Sequence, residues 1–452
     1  MSSAVHTAPA NERARTGVER TGPAGTGLAG TGLAGTGLAE DGAVAWRDEL
    51  LDPAFVAGRL AHCFGEGASI ERCALRRAKY RVGESLRVAY DVVVDGRDVV
   101  VSARTFADPA GAFAAAVTNA VPVAGLAGVA CDPETATVWW TVPNDRELRN
   151  MAALLDAPDR VRRVSGVSWD RSTLVEYAPE RSATSCVFDH DGHLVAYAKA
   201  YVDRDAAATA RQYNSVAATL GGIGLGTPRA LGCAPVERIV MLEPMTGVAW
   251  TDLDAGSQLA AMQRLGTALA HVHGLRVNFR GAPFGRYRLD RVANSADIVS
   301  VARPDVGRSL RELGDRLRAG PRVASPAVWL HGDLHAGNML FAGEAVHLID
   351  FDQAGPGPAA ADLGSMIASL LISGLTDQRV VADEMAAAVL DGYAAVRTPP
   401  SPEELCWHVA AALVVERAIR AVNRVHLPTL AVLGELIDLA AAILDRTVPL
   451  GE

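Results

Sequence analysis

Several things are scarce in this 452-residue chain, and each scarcity excludes a class of protein. Its six cysteines, at 63, 73, 131, 186, 233 and 406, form no Cys-x-x-Cys pair and no zinc-like spacing. In a chain this long they read as reduced thiols of a cytosolic protein. Basic residues are outnumbered, 43 Lys and Arg against 52 Asp and Glu, for a net charge of −9. No basic surplus exists to neutralise a phosphate backbone, so nucleic acid is excluded as a partner. Acidity slightly favours a cationic substrate, although ordinary solubility explains it as well. The run between Gly111 and Cys131 lacks charge, yet Thr118, Asn119 and Pro122 leave it too weakly apolar for a membrane span. The N-terminus has no basic-then-apolar leader pattern. The expectation is a soluble, cytoplasmic protein of two or three domains.

What is present begins with a low-complexity tail. Residues 1–42 carry tandem Gly-Thr-Gly-Leu-Ala units ending at Ala39, too poor in burial to offset ordering entropy. A second repeat is more informative. Segments 80-YRVGESLRVAYDVVVDGRDVVVSARTFAD-108 and 177-YAPERSATSCVFDHDGHLVAYAKAYVD-203 share an order: Tyr, turn, alternating strand, Asp-Gly, second strand, basic residue, aromatic, Asp. Asp-Gly between β-rich runs is a hairpin signal. The basic residue is Arg104 in one copy and Lys199 in the other. Each copy leads into an Ala-rich helix. Between them, 137-TVWWTVPNDRELRNMAALLDAP-158 reads as a strand and a helix with Asn144 as its N-cap. From about residue 255 helices dominate. Leu259, Met262, Leu265, Leu269 and Val272 fall at helical spacing, and Leu405–Val425 and Leu430–Leu444 are long and apolar-faced.

One polar segment interrupts that helical region: 327-AVWLHGDLHAGNMLFAGEAVHLIDFDQAG-355. His331, Asp333 and His335 alone would suit a metal-dependent hydrolase, since imidazole and carboxylate are common ligands. The full spacing points elsewhere. His331-Gly-Asp333 with Asn338 five residues after the Asp, then Asp350-Phe-Asp352 after an apolar strand, matches the phosphotransferase pattern. Phosphoryl transfer needs a carboxylate beside the attacking hydroxyl and oxygen ligands for a metal bridging the phosphates.

The residues His331 to Asn338, Ile349 to Asp352 and Gly357 to Leu363 make the segment similar to the aminoglycoside phosphotransferase and choline kinase superfamily, the small-molecule relatives of protein kinases. The resemblance extends less sharply from Tyr177 to the C-terminus. It implies an α+β, protein-kinase-like bilobal fold with a β-rich small lobe and a helical lobe. It implies a kinase using ATP or GTP with Mg²⁺ to phosphorylate a hydroxyl of a small molecule: a sugar, amino sugar or aminoglycoside. Carried over by residue, Asp333 is the catalytic base, and Asn338, Asp350 and Asp352 serve the metal. Lys199 reaches the phosphates. Leu242 to Gly247, with Glu243 and Met245, corresponds to the segment that holds adenine. His331 and Asp362 brace the loop. Gln212 stands where the family has a Glu pairing with the Lys, leaving Lys199 to a neutral hydrogen bond or to Asp203 or Asp205. The phosphate-covering hairpin, Tyr177 to Phe188, has no Gly, so Arg181, Ser182 and Thr184 would supply contacts. His335, Trp407, Glu416 and Arg420, with Arg424, are acceptor-site candidates, and Glu403 and Glu404 would meet amines. Residues 43–165 resemble the cap of maltokinase and glucosamine kinase relatives. The expected division is therefore a tail (1–42), a cap (43–165), a small lobe (166–246) and a helical lobe (247–452). Two alternatives keep the fold: a kinase of Ser or Thr in a biosynthetic peptide, and a non-catalytic nucleotide-binding regulator. Oligomeric state is not legible.

Overall fold

A computed structural model describes residues 35–64, 69–118, 120–222, 224–275, 289–321, 325–377, 381–448 and 450. Most of the low-complexity tail lies outside these residues. Its last part does not behave as a free tail. Thr36 and Leu38 are buried, and the Ala39 amide donates to Ala302 O at 2.8 Å. Arg47 fixes this stretch by donating to Ala39 O at 2.7 Å and to Leu38 O at 3.2 Å. Packing therefore includes at least Thr36 to Ala39, inside the expected tail, because a buried arginine consumes the backbone carbonyls of the last repeat unit.

Two five-stranded antiparallel sheets follow. After helix α1 (Pro53–Phe64), the first holds β1 (Ile70–Arg81), β2 (Ser85–Val94), β3 (Arg97–Thr105), β4 (Val129–Asp132) and β5 (Thr137–Thr141), with α2 (Pro109–Val117) between β3 and β4. Short helices α3 (Met151–Leu155) and α4 (Asp159–Val164) lead to the second. It holds β6 (Arg171–Ala178), β7 (Ser182–Phe188), β8 (Leu194–Tyr201), β9 (Ala230–Ala234) and β10 (Ile239–Leu242), with α5 (Ala206–Gly221) between β8 and β9. The spatial orders are β1-β2-β3-β5-β4 and β6-β7-β8-β10-β9, the same arrangement twice. Pairing repeats as well. Tyr80 faces Leu86 as Tyr177 faces Ala183, and Arg87 faces Arg104 as Thr184 faces Lys199. Arg104 then faces Val138 as Lys199 faces Val240. The hairpin chemistry is visible at the turns: Asp95 and Gly96 both have positive φ, at 46° and 72°, as a tight right-twisted hairpin requires.

Asn144 does not cap a helix. Its side chain bridges back to the chain at Val121, accepting from the amide and donating to the carbonyl, both at 2.8 Å. The helix starts later, at Met151.

The helical part contains α6 (Ala255–Gly274), α7 (Leu289–Ala302), α8 (Gly307–Arg318), α9 (Ala359–Thr376), α10 (Ala382–Ala394) and α11 (Pro402–Ala412). A π-helical turn, Leu413–Ala418, continues α11 into α12 (Ile419–Arg424), followed by α13 (Leu427–Ala431) and α14 (Leu433–Leu444). Two small ladders, β11 (Val328–Leu330) with β14 (Gly355–Gly357) and β12 (Met339–Ala342) with β13 (Ala345–Leu348), are set among these helices. Among the described residues, α9 alone is long and apolar enough to cross a membrane, yet 72% of it is buried in the protein. It is the central core helix, and the loop between β11 and β12 rests on its first turn.

Candidate functional site

The loop after β11 is held from below by Asp362 in the first turn of α9. Its carboxylate accepts from the amides of His331 at 2.7 Å and Gly332 at 3.0 Å. The buried imidazole of His273, at the end of α6, sits at 3.2 Å and is itself held by the Tyr393 hydroxyl at 3.0 Å. Burial opposes charge on Asp362, but hydrogen bonding to His273 and the charge of the two histidines outweigh it and keep the carboxyl below its usual range. His273 and Tyr393 were not singled out by sequence reasoning; a His among apolar helix positions carries no mark of its role.

Gly332 has φ 83°, and a Cβ there would lie 2.1 Å from the Gln353 carbonyl oxygen, so only glycine lets the loop pass under the next strand connection. That approach brings Gln353 to Asp333, donating to Oδ2 at 2.9 Å. The Arg420 guanidinium lies 3.7 Å from Oδ1. Asn338 is buried, and its amide donates to Asp333 O at 2.9 Å, which aims its side-chain carbonyl away from that bond. His331 is buried and its Nε2 pairs with Ile349 O at 2.9 Å, tying the loop to the start of the Asp-Phe-Asp turn.

That turn carries Asp350 in a left-handed conformation, φ 69° and ψ 52°. Lys199, on β8, donates to Asp350 at 2.8 Å and to Asp352 at 3.2 Å. Asp352 also accepts from the Tyr213 hydroxyl at 2.8 Å and lies 3.3 Å from the Tyr201 hydroxyl. Burial works against the Lys199 charge, but Tyr213, Asp350, Tyr201 and Asp352 prevail and hold its pKa well above the ordinary lysine value. The missing helix acid is thus replaced from an unexpected direction. Gln212 does not touch Lys199; it donates to Phe351 O at 3.2 Å. Asp205 caps α5, accepting from Ala208 at 2.8 Å, and Asp203 is exposed. Both acids hold the lysine, Asp350 the more closely; Asp352 is engaged on both oxygens, whereas the Asp350 carboxylate and the Asn338 carbonyl are the hard-oxygen pair suited to a divalent cation.

Other candidates fall outside the site. Trp407 is 4% exposed and donates its indole N–H to Leu317 O at 3.1 Å, so it has no face to stack on a ligand. Glu416 is 3% exposed and accepts the Ser365 hydroxyl at 2.6 Å, with Leu334 O also within 3.0 Å of that oxygen. The π-helical turn points Glu416 under the loop instead of at the cleft. Glu404 is also buried, accepting from the Ser325 amide and hydroxyl. His335 caps the one-turn helix before Asn338, its Nδ1 accepting from Gly337 at 3.1 Å, and burial pushes its pKa down to about 4. The ligand atoms of His331, Asp333 and His335 do not converge; among the described residues only the surface turn Asp189, Asp191, His193 brings three such groups together. The hydrolase arrangement is therefore not assembled. Arg181 is exposed at the tip between β6 and β7, with Ser182 beside it. Its neighbour Glu180 turns inward, 2% exposed, onto Arg87 at 3.0 Å, Arg104 at 2.8 Å and Arg146. Glu243 spends its carboxylate on Arg229 at 3.0 Å, so its side chain is not available to a nucleotide.

Residues 187–405 match the model of the phosphotransferase enzyme family. This span, just under half of the chain, is similar to that family. The matched span is that of a phosphotransferase, and the fold is α+β, two antiparallel sheets followed by a helical part. The matched span holds Lys199, Asp333, Asn338 and Asp350 and omits the first sheet entirely. Among solved structures, it is similar to an amicoumacin kinase at 14% identity and TM-score 0.46, covering 66% of this chain and 96% of that one. A choline kinase from Cryptosporidium parvum gives 12% identity and TM-score 0.44, covering 63% and 93%. A macrolide 2′-phosphotransferase from Brachybacterium faecium gives 17% identity and TM-score 0.40, covering 66% and 99%. No curated protein matches the chain in sequence.

Proposed function

We propose that the phosphotransferase moves the γ-phosphoryl group of ATP or GTP to a hydroxyl of a small polyol or saccharide, with Asp333 as the base. The observation that carries this reading is the split between two carboxylates. Asp333 is steered by Gln353 and Arg420, whereas Asp350 is paired with Lys199. One carboxylate therefore faces an acceptor and the other the phosphates. Asp333 orients the acceptor hydroxyl and takes its proton as the new bond forms. Asp350 and the Asn338 carbonyl would hold Mg²⁺, which when bound neutralises charge on the transferring phosphate. Lys199 then turns from Asp350 to the phosphate oxygens while Asp352 keeps its tether. The purine would lie along Leu242–Gly247: the Glu243 amide is used by Arg229 O at 2.8 Å, which leaves the Glu243 carbonyl and the Met245 amide for its edge. The sheet division follows the same reading, with 171–242 as the nucleotide lobe and 70–141 as the cap.

Asp333→Asn tests it. Turnover falls by about 10² to 10⁴, the usual worth of a general base. Nucleotide affinity, measured by titration with ADP and Mg²⁺, stays within about twofold, because Asp333 is not part of the phosphate-facing set. Near-normal turnover in Asp333→Asn overturns the assignment.

A further inference from the structure

The carboxylates that sequence placed opposite a cationic acceptor, Glu404 and Glu416, are buried and spent on Ser325 and Ser365. What stands at the acceptor side is the opposite charge. On β1, Arg77 and Lys79 share one face at the two-residue spacing of a strand. On α12, Arg420 and Arg424 share one face at the four-residue spacing of a helix. α12 packs on β1, and Arg181 at the β6–β7 tip faces the same space, since it adds to the charge felt by Lys79, Arg77 and Arg424. Arg420 ties the group to the reaction centre, 3.7 Å from Asp333.

Five cations meet there, and among the described residues the carboxylates against them are Glu176, 3.2 Å from Arg77 and also felt by Arg424, and Asp333 itself. Among the described residues no carboxylate lies in ion-pair distance of Lys79, Arg181 or Arg424, and all three keep some exposure. Partly buried like charges without counter-charges are costly, and proteins keep them where an anion completes them. Burial and its cationic neighbours push Lys79 down to about 8, in keeping with that crowding.

We infer that Lys79, Arg424 and Arg420, with Arg181 at the rim, form an anion subsite contributed jointly by the cap and the helical lobe, and that the acceptor is a polyol bearing a carboxylate or phosphate group. This deepens the proposed function and rests on Asp333 marking the acceptor position. Arg420 and Arg424 sit on successive turns leading away from Asp333, so the anionic group binds one helical turn beyond the hydroxyl that reacts. The cap thereby becomes part of acceptor recognition.

The test uses the full chain saturated with ADP and Mg²⁺, titrated calorimetrically with matched pairs: gluconate against sorbitol for carboxylate, and glycerol 3-phosphate against glycerol for phosphate. At least one anionic member should bind tenfold or more tighter than its neutral partner, and the better pair names the anion. Arg424→Gln and Lys79→Gln should each weaken that member by about tenfold to a hundredfold, the worth of a charge-assisted hydrogen bond, and leave ADP affinity unchanged. Arg424→Glu should abolish the preference. Equal binding within both pairs, or no binding of any probe to ADP-saturated protein, overturns the subsite. An equal loss of ADP affinity in Arg424→Gln also overturns it, by assigning the cluster to the nucleotide. If ADP fails to bind in the first step, the phosphotransferase reading itself falls; if ADP binds and anions gain nothing, only the subsite does.

Discussion

The two five-stranded sheets have one topology and one register but opposite fates for the same position. In the second sheet that position is Lys199, which reaches across the cleft to Asp350 and Asp352 of the helical lobe. In the first it is Arg104, which pairs with Glu180, a residue of the second sheet's own hairpin. The helix after the third strand differs to match: α5 runs 16 residues and carries Tyr213 to Asp352, whereas α2 runs nine and buries none of its side chains fully. A basic residue at the end of a third strand is therefore not by itself a phosphate contact. The element it faces decides, and here one copy faces two carboxylates of the helical lobe while the other serves as a clasp.

The comparison breaks most sharply at that position. Lys199→Met should lower turnover by about 10² to 10³, the usual cost of removing one preorganised charge from a transition state. Arg104→Met should leave turnover within about threefold, because Arg87 and Arg146 still hold Glu180. Steady-state rates of both variants decide it, and equal losses would erase the distinction between the sheets. Next comes Glu180→Ala. It strands three partly buried guanidinium groups, so unfolding free energy should fall by about 3 kcal/mol, read by denaturant titration. A neutral result would show that the clasp contributes nothing. The smallest effect is in pH. Lys79 is charged below its pKa of about 8, facing Arg81 on its own strand, Arg181 on the hairpin and Arg420 and Arg424 on α12. Its charge, and with it attraction for an anionic acceptor, is lost as pH rises through about 8, while the guanidinium groups of Arg420 and Arg424 stay charged. The acceptor KM should therefore climb by about tenfold across that range, while Lys79→Met flattens the first step; a KM that falls with rising pH would contradict the charge assignment.

Much of this was legible in residue order. Asp-Gly pairs marked the hairpins because a tight turn needs positive φ, and the loop bearing Asp333 and Asn338 followed from spacing that the chemistry itself imposes. What escaped were relations between distant segments. Lys199 is held by Asp350 and Asp352, 151 and 153 residues later, and no local pattern reveals that both acids meet this lysine. Glu416 lies in the π-helical turn Leu413–Ala418, which sequence periodicity does not reveal, and is held inward on Ser365. Trp407 and Glu404 sit in a helix whose every residue from Glu404 to Ala412 is buried, a degree of enclosure set by neighbours and not by periodicity. The packing of Thr36 to Ala39 depends on Arg47, whose partners include the Leu38 and Ala39 carbonyls, which carry no sequence signature.

Asp350 stands at φ 69°, a region where an alanine costs about 1–2 kcal/mol while Asp and Asn are tolerated through local hydrogen bonding. The backbone at this point thus imposes its own selection, independent of any ligand. Replacing Asp350 by alanine alters two quantities together, the charge and the shape of the turn that also carries Asp352. Asparagine keeps the turn and removes only the charge. The difference between the two variants, measured as ADP affinity with and without Mg²⁺, therefore separates conformational energy from electrostatics at a single residue. Equal losses assign the whole effect to charge; a larger loss in alanine measures how much the protein invests in holding a left-handed carboxylate in place.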